Sequence, residues 1–337
     1  MSSLAQSRIP LPASAPNRPS RQEALLAPPD QALITLGQVL RRAGYRFTTI
    51  TPASHQRVVA RRMQRSVSLE DVFGWSRPFL RADVPEDIAR LMDEAVVLES
   101  SGAQLRSTVR FSTLGGQLFV HSAFPTEQAD AVFFGPDTYR FARALGQSLP
   151  DLPTRASMRV IDIGAGSGAG GLHAAALLRS VSPDVVLTDI NRNALRFSRL
   201  NALLNEVPNV EVIESDLFAA LDGKFDLIIS NPPYLVDRLK RAYRHGGGEL
   251  GSALSVRIVE EGIDRLAPGG RLLLYTGAAI VDGVDMLHET LRARLANRAV
   301  RFSYEEIDPD VFGEELEHPP YDRADRIAVV AATIDAE

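Results

Sequence analysis

The 337-residue chain contains no cysteine. That excludes disulfides, thiolate zinc sites and a cysteine nucleophile. Lysine is almost missing too: Lys224 and Lys240 are the only two among 37 basic residues. An arginine bias this strong reflects genomic base composition, so arginine counts carry no weight as a sign of phosphate binding. No apolar run approaches the roughly 20 residues that a bilayer span needs. The N-terminus lacks the basic start and apolar core of a secretory signal, which favours the cytoplasm. The six histidines (His55, His121, His173, His245, His288, His318) are scattered, so no metal site is expected. Net charge is −5, and no global basic field draws the chain toward nucleic acid. No internal repeat is evident.

What is present suits a folded chain of more than one unit. The length exceeds one typical domain and is ample for a sizeable core. Hydrophobic residues make up 45% and charged residues 23%, ordinary values for a globular protein. Residues 1–29 are rich in Pro, Ser and Ala and read as a disordered tail. Residues 30–125 read as a smaller, mainly helical domain. Leu33, Leu36, Val39 and Leu40 have helical spacing over Gln31–Arg42, and residues 45–105 look mainly helical with short breaks. Pro85-Glu86-Asp87 starts a helix with Ile88, Leu91, Met92, Ala95 and Val96 on one face. Val109–Phe111 and Gln117–His121 then read as a β-hairpin around Leu114-Gly115-Gly116. Helices followed by a hairpin suit a winged-helix-like module, which could bind DNA, dock a protein or serve as a lid.

From Met158 the pattern changes. Strands are expected at Arg159–Ile163, Asp184–Thr188, Val210–Glu214, Phe225–Ser230, Gly270–Thr276 and Arg326–Ile334. Helices are expected at Gly170–Ser180, Arg192–Leu204 and Ser255–Leu266. This alternation predicts an α/β fold with a doubly wound, Rossmann-like sheet.

The fourth of these strands stops on Asn231-Pro232-Pro233-Tyr234. A stiff loop is the plain reading of such a sequence. Its place at the carboxyl edge of the sheet, where ligands bind, argues for more. An amide or aryl amine is a poor nucleophile because its lone pair is delocalised. The Asn231 side-chain oxygen can accept one N–H of such a group and the Pro232 carbonyl the other, aiming the nitrogen at an electrophilic methyl. Tyr234 can lie flat against a planar acceptor.

The donor's groups stand upstream. Gly164, Gly166 and Gly168 follow the first strand directly, with Asp162 just before them, and allow a ligand to lie on bare backbone. Gly166, Gly168 and Gly171 also match the dinucleotide fingerprint, a weak signal alone. Asp189 ends the second strand and can accept from both ribose hydroxyls. Asp216 follows the third strand and can accept from an adenine amino group, with Leu217 or Phe218 covering the ring. Each acid alone reads as a cap or turn residue. The three in order, with the acceptor motif on the fourth strand, point to S-adenosyl-L-methionine as cofactor rather than a nicotinamide.

These residues resemble class I S-adenosylmethionine-dependent methyltransferases, and within them the release-factor glutamine N5-methyltransferase group. SDLFAALDGKFDLIISNPPY at 215–234, VIDIGAGSG at 160–168 and Asp189 carry the resemblance, which covers about 130–330. FGPDTYRFARAL at 134–145 looks like that family's interdomain segment. It keeps Pro136, Asp137 and Thr138 but has Tyr139 where those enzymes often carry an acid. The resemblance implies a methyltransferase domain at 126–337 and N-methylation of a protein glutamine, with a release-factor-like protein as partner. A small-molecule amine or heterocycle, or a nucleic-acid base (adenine N6 or guanine N2), are the alternative acceptors. Gly246–Gly251 could form a flap over the acceptor, with Asp308–Phe312 and His318–Tyr321 shaping its pocket.

Overall fold

The computed structural model describes residues 26–62, 66–237 and 244–337. Most of the tail expected to be disordered, and the basic stretch after Tyr234, lie outside these residues. Pro28 and Pro29 open α1 (Pro28–Arg42) at positions where a missing N–H is harmless. α2 (Pro52–Arg62) and α3 (Leu69–Phe73) follow, the latter closed by a capping box between Ser68 and Asp71. Then come α4 (Glu86–Glu94), a hairpin of β1 (Leu98–Ser101) and β2 (Gln104–Ser107), and a second hairpin of β3 (Val109–Leu114) and β4 (Gln117–Ser122).

The expectation of a mainly helical 45–105 therefore misses a hairpin. β1 is polar and half exposed, so it shows no apolar alternation to read. Val96, expected on the buried face of α4, is 73% exposed. The helix is capped at Ala95, and Val96 (φ +56°) turns the chain toward β1.

The larger unit runs α5 (Pro136–Ser148), β5 (Arg159–Ile163), α6 (Ala169–Leu177), β6 (Asp184–Asp189), α7 (Arg192–Leu204), β7 (Val210–Glu214), β8 (Phe225–Ser230), α8 (Ala253–Ile263), β9 (Leu266–Val281), β10 (Val284–Asp285), α9 (Met286–Leu295), β11 (Val300–Asp308) and β12 (Arg326–Ala336). The sheet order is β11-β12-β9-β8-β5-β6-β7, with β10 paired to β9. β7, β6, β5, β8 and β9 are parallel, and β12 runs antiparallel between β9 and β11. The sheet is doubly wound, as the alternation implied. The chain leaves β5 toward β6 and β7, then returns to start β8 on the other side. That reversal opens a crevice at the carboxyl ends of β5 and β8.

Strand residues alternate between two apolar layers. Val160 and Leu227 pack in the layer with Leu145 and Leu172, while Ile161 and Ile228 pack with Val259 and Leu291. The N-terminal elements build a third core, and α7 belongs to it through Ala194, Phe197, Leu200 and Leu204. Two asparagines one turn apart on α7 and at its end complete this joint. Asn201 accepts from the Val120 N–H (2.8 Å) and donates to its carbonyl (2.9 Å). Asn205 does the same at Leu118 (3.0 and 2.9 Å). They satisfy the free edge of β4 as a further strand would. No described helix is long and apolar enough to cross a membrane.

Candidate active site

A cleft lies at the switch point between β5 and β8. Asp162, Gly164, Gly166, Asp189, Asp216, Leu217, Asn231 and Pro232 all line it. The strand ends and the loops after them thus bring together most of the residues singled out from sequence.

Gly164 and Gly166 turn the chain with φ of +68° and +56°, and Gly168 (+77°) caps α6. These are left-handed conformations that side chains rarely adopt. A Cβ at Gly164 would meet no atom within 4 Å, so this glycine presents bare backbone to open space. Gly171 is different. A Cβ there would lie 2.3 Å from Leu187, so its absence lets α6 pack against β6.

The acids differ in setting. Asp162 is 2% exposed and its Oδ2 accepts the Gly171 N–H at 2.7 Å. Burial pushes its carboxyl up to about 7; the Gly171 bond opposes this and the nearby Asp189 charge adds to it. Asp162 ties the glycine loop to the start of α6. Asp189 accepts from the Gly166 N–H (2.9 Å) with one oxygen and from the Asn191 N–H (2.9 Å) with the other. Burial raises its pKa while these backbone bonds lower it. Each oxygen retains lone-pair capacity toward the cleft. Asp216 is exposed and forms a two-pronged pair with Arg257 of α8, at 2.9 and 3.1 Å.

Two apolar groups bound the cleft near these acids. Leu217 sits in a left-handed conformation (φ +49°), and Ile190, next to Asp189, is 62% exposed. Sequence reading passed over Ile190. The signal that finds it is an apolar residue directly after a strand-end acid, where burial has nothing to gain. Bare backbone, a carboxylate with spare lone pairs and two apolar flanks fit an adenosyl group with its ribose on Asp189.

The acceptor side is sparser. Among the described residues Asn231 makes no hydrogen bond with its side chain, although it lines the cleft. Pro232 is beside it. Tyr234 is not: its ring is buried (7% exposed), edge-on to Phe312 and against Gly277. Its hydroxyl donates to Asp137 Oδ2 at 2.5 Å, and the Tyr275 hydroxyl donates to Asp137 Oδ1 at 3.3 Å. Burial raises the Asp137 pKa, and these bonds and Arg140 offset part of that rise. The link from Asp137 to Tyr234 joins α5 to the loop carrying Asn231, which neither segment revealed in sequence.

Gly246 and Gly251 pack directly against the backbone of that loop. A Cβ on Gly246 would lie 2.6 Å from the Pro233 carbonyl, and one on Gly251 2.2 Å from the Tyr234 carbonyl. Tyr321 holds the same region, its hydroxyl accepting from the Val236 N–H (3.0 Å) and donating to the Leu250 carbonyl (3.2 Å). The late segment thus buttresses the acceptor loop.

Comparison with known proteins agrees with this geometry. A family model described as methyltransferase small domain matches residues 142–299. The release factor glutamine methyltransferase of Deinococcus radiodurans is 39% identical over 126 residues, 34% of this chain and 44% of that protein. The Bradyrhizobium diazoefficiens enzyme of the same name is 29% identical over 265 residues, 72% of this chain and 87% of its own length. A Methanocaldococcus jannaschii protein, provisionally named a protein N5-glutamine methyltransferase, is 34% identical over 141 residues, 40% of this chain and 70% of that protein. The chain spans less than half of the first of these and most of the other two. With the doubly wound sheet and the strand-end site, they place the chain in the class I S-adenosylmethionine-dependent methyltransferase family, with the protein N5-glutamine methyltransferases.

Proposed function

We propose that the protein transfers a methyl group from S-adenosyl-L-methionine to the side-chain amide nitrogen of a glutamine in a protein of the release-factor kind. The observation that carries this reading is the unpartnered Asn231 amide, set in the same cleft as Gly164, Gly166 and Asp189. The cofactor supplies a methyl on a positively charged sulfur. Asp189 would hold the ribose hydroxyls, the glycine backbone would meet the amino-acid end, and Ile190, Leu217 and Asp216 would receive the adenine.

Asn231 Oδ1 accepts one N–H of the glutamine amide and the Pro232 carbonyl accepts the other. This fixes the amide plane and favours positive charge developing on nitrogen. Holding acceptor and donor in line is worth up to about 7–11 kcal/mol. Loss of the proton follows transfer, so no strong base is required. Tyr234, anchored on Asp137, fixes the loop; the stacking surface for the acceptor is then left to other walls of the cleft. The relatives named for release factor glutamine methylation support the choice of a protein acceptor.

Intact-mass measurement tests it. The purified chain and donor should add one methyl to a release factor from the same cell, mapped by fragmentation to a glutamine. No gain on that protein, with label from the donor entering metabolite or RNA fractions instead, overturns the acceptor while sparing the methyl-transfer chemistry.

A further inference from the structure

Arg110, on β3 in the N-terminal core, is only 4% exposed. Among the described residues its Nε and Nη2 have no hydrogen-bond partner. The guanidinium lies over the Phe47 ring, 5.3 Å from its centroid. Burial lowers its pKa to about 10, and the groups that offset this are the hydroxyls of Tyr45 and Tyr139 rather than a carboxylate. Both hydroxyls are engaged elsewhere: Tyr45 donates to the Phe111 carbonyl (2.9 Å) and Tyr139 accepts from the Thr49 N–H (3.1 Å). Asp71, an acid of the same core, is shared between Arg62 and Arg77.

One further cation and a neutral imidazole stand nearby. Arg106 has a buried, unpartnered Nε, and its Nη2 donates to the Phe124 carbonyl. His55, 3% exposed, feels both Arg110 and Arg106 and has an unpartnered Nδ1. Its ring packs on Phe124 (4.3 Å) and Trp75 (5.4 Å), and Trp75 in turn meets Phe47 edge-on (4.9 Å). Arg106, Trp75 and Phe124 are partly exposed.

Nε and Nη2 make up one edge of a guanidinium, with two parallel N–H groups spaced to match two oxygens of one anion. Elsewhere in this chain that edge is used in this way: Arg271 gives Nε and Nη2 to the two oxygens of Asp335, at 2.6 and 3.0 Å. A buried guanidinium without such a partner is strongly unfavourable. We propose that Arg110 is the anchor of an oxyanion-binding site in the N-terminal domain, taking a small carboxylate or phosphate on its Nε/Nη2 edge. The site is separate from the methyl-transfer cleft, whose lining includes none of these residues.

The test is thermal unfolding and calorimetry of the full chain with acetate, inorganic phosphate and chloride at matched ionic strength. Acetate or phosphate should raise Tm by a few degrees at about 100 times its Kd, with chloride inert. The pair of titrations tells carboxylate from phosphate. In Arg110→Met the oxyanion response should vanish; Arg110→Lys, which keeps the charge but loses the fork, should bind at least tenfold more weakly. Equal shifts with all three salts in the wild-type protein overturn the proposal without recourse to any variant. So does an Arg110→Met protein that keeps the oxyanion response.

Discussion

On one side of the cleft Asp189 faces the donor's place with each oxygen already holding a backbone N–H, from Gly166 and Asn191. On the other, Asn231 lines the cleft with no side-chain hydrogen bond among the described residues. The donor side is fixed before any ligand arrives, because the same carboxylate that would hold the ribose also holds the glycine loop. The acceptor side keeps its one polar group unspent and transfers the burden of rigidity to Pro232, Pro233 and the buried Asp137–Tyr234 bond. Binding and structure are therefore entangled on the first side and separable on the second.

That difference is most sharply broken or upheld at Asn231. Asn231→Ala should lower kcat by about 100- to 1000-fold, the usual cost of deleting one preorganised polar group at a reacting centre. Donor affinity by calorimetry and Tm should stay near wild type, because the amide supports nothing else. A variant that also loses donor binding would show that the acceptor side, too, is structural.

Asp189→Ala should behave in the opposite way. Removing hydrogen bonds to a charged group weakens donor binding by about 10- to 100-fold. Tm should fall as well, since the Gly166 and Asn191 N–H groups lose their acceptor. Calorimetry well below the transition separates the two effects. Loss of affinity with an unchanged Tm would mean that the loop holds its shape without the carboxylate.

Tyr234→Phe probes what stiffens the acceptor side. The phenyl ring keeps its packing against Phe312 and Gly277, but Asp137 loses its 2.5 Å donor. A stability loss of about 1–2 kcal/mol in denaturant titration is expected, with kcat falling less than tenfold. A fall in kcat as large as that of Asn231→Ala, at unchanged stability, would return the ring to the role of touching the acceptor.

The unevenness of the site also explains what could be read from sequence. Gly164, Gly166 and Gly168 were legible because left-handed backbone leaves few residues to choose from, and Asp189 because a polar residue ending an apolar strand stands out. The central strands were legible because they are buried on both faces; β8 is buried from Phe225 to Ser230. β1 escaped because it is polar. β11 was passed over although Val300, Phe302 and Tyr304 alternate, since that face gains meaning only from its pairing with β12. The Asp137–Tyr234 bond spans 97 residues. Alone, Asp137 reads only as part of an interdomain segment and Tyr234 as an aromatic in a motif, so Tyr234 read as a surface for the acceptor when its ring is in fact packed inward.

The smallest effect should come at Asp216, which shared a line of reasoning with Asp189 but not its environment. Its partner Arg257 is half exposed, and such a surface pair is worth about 0–1 kcal/mol. Arg257→Ala should therefore leave Tm within about 2 °C and change the donor Kd by no more than about threefold. The direction is informative even so. If the guanidinium competes with the adenine amino group for Asp216, the variant binds donor slightly more tightly; if it merely orients the carboxylate, slightly more weakly. A change beyond tenfold either way would put Asp216 on a par with Asp189 and make the adenine end as firmly built as the ribose end.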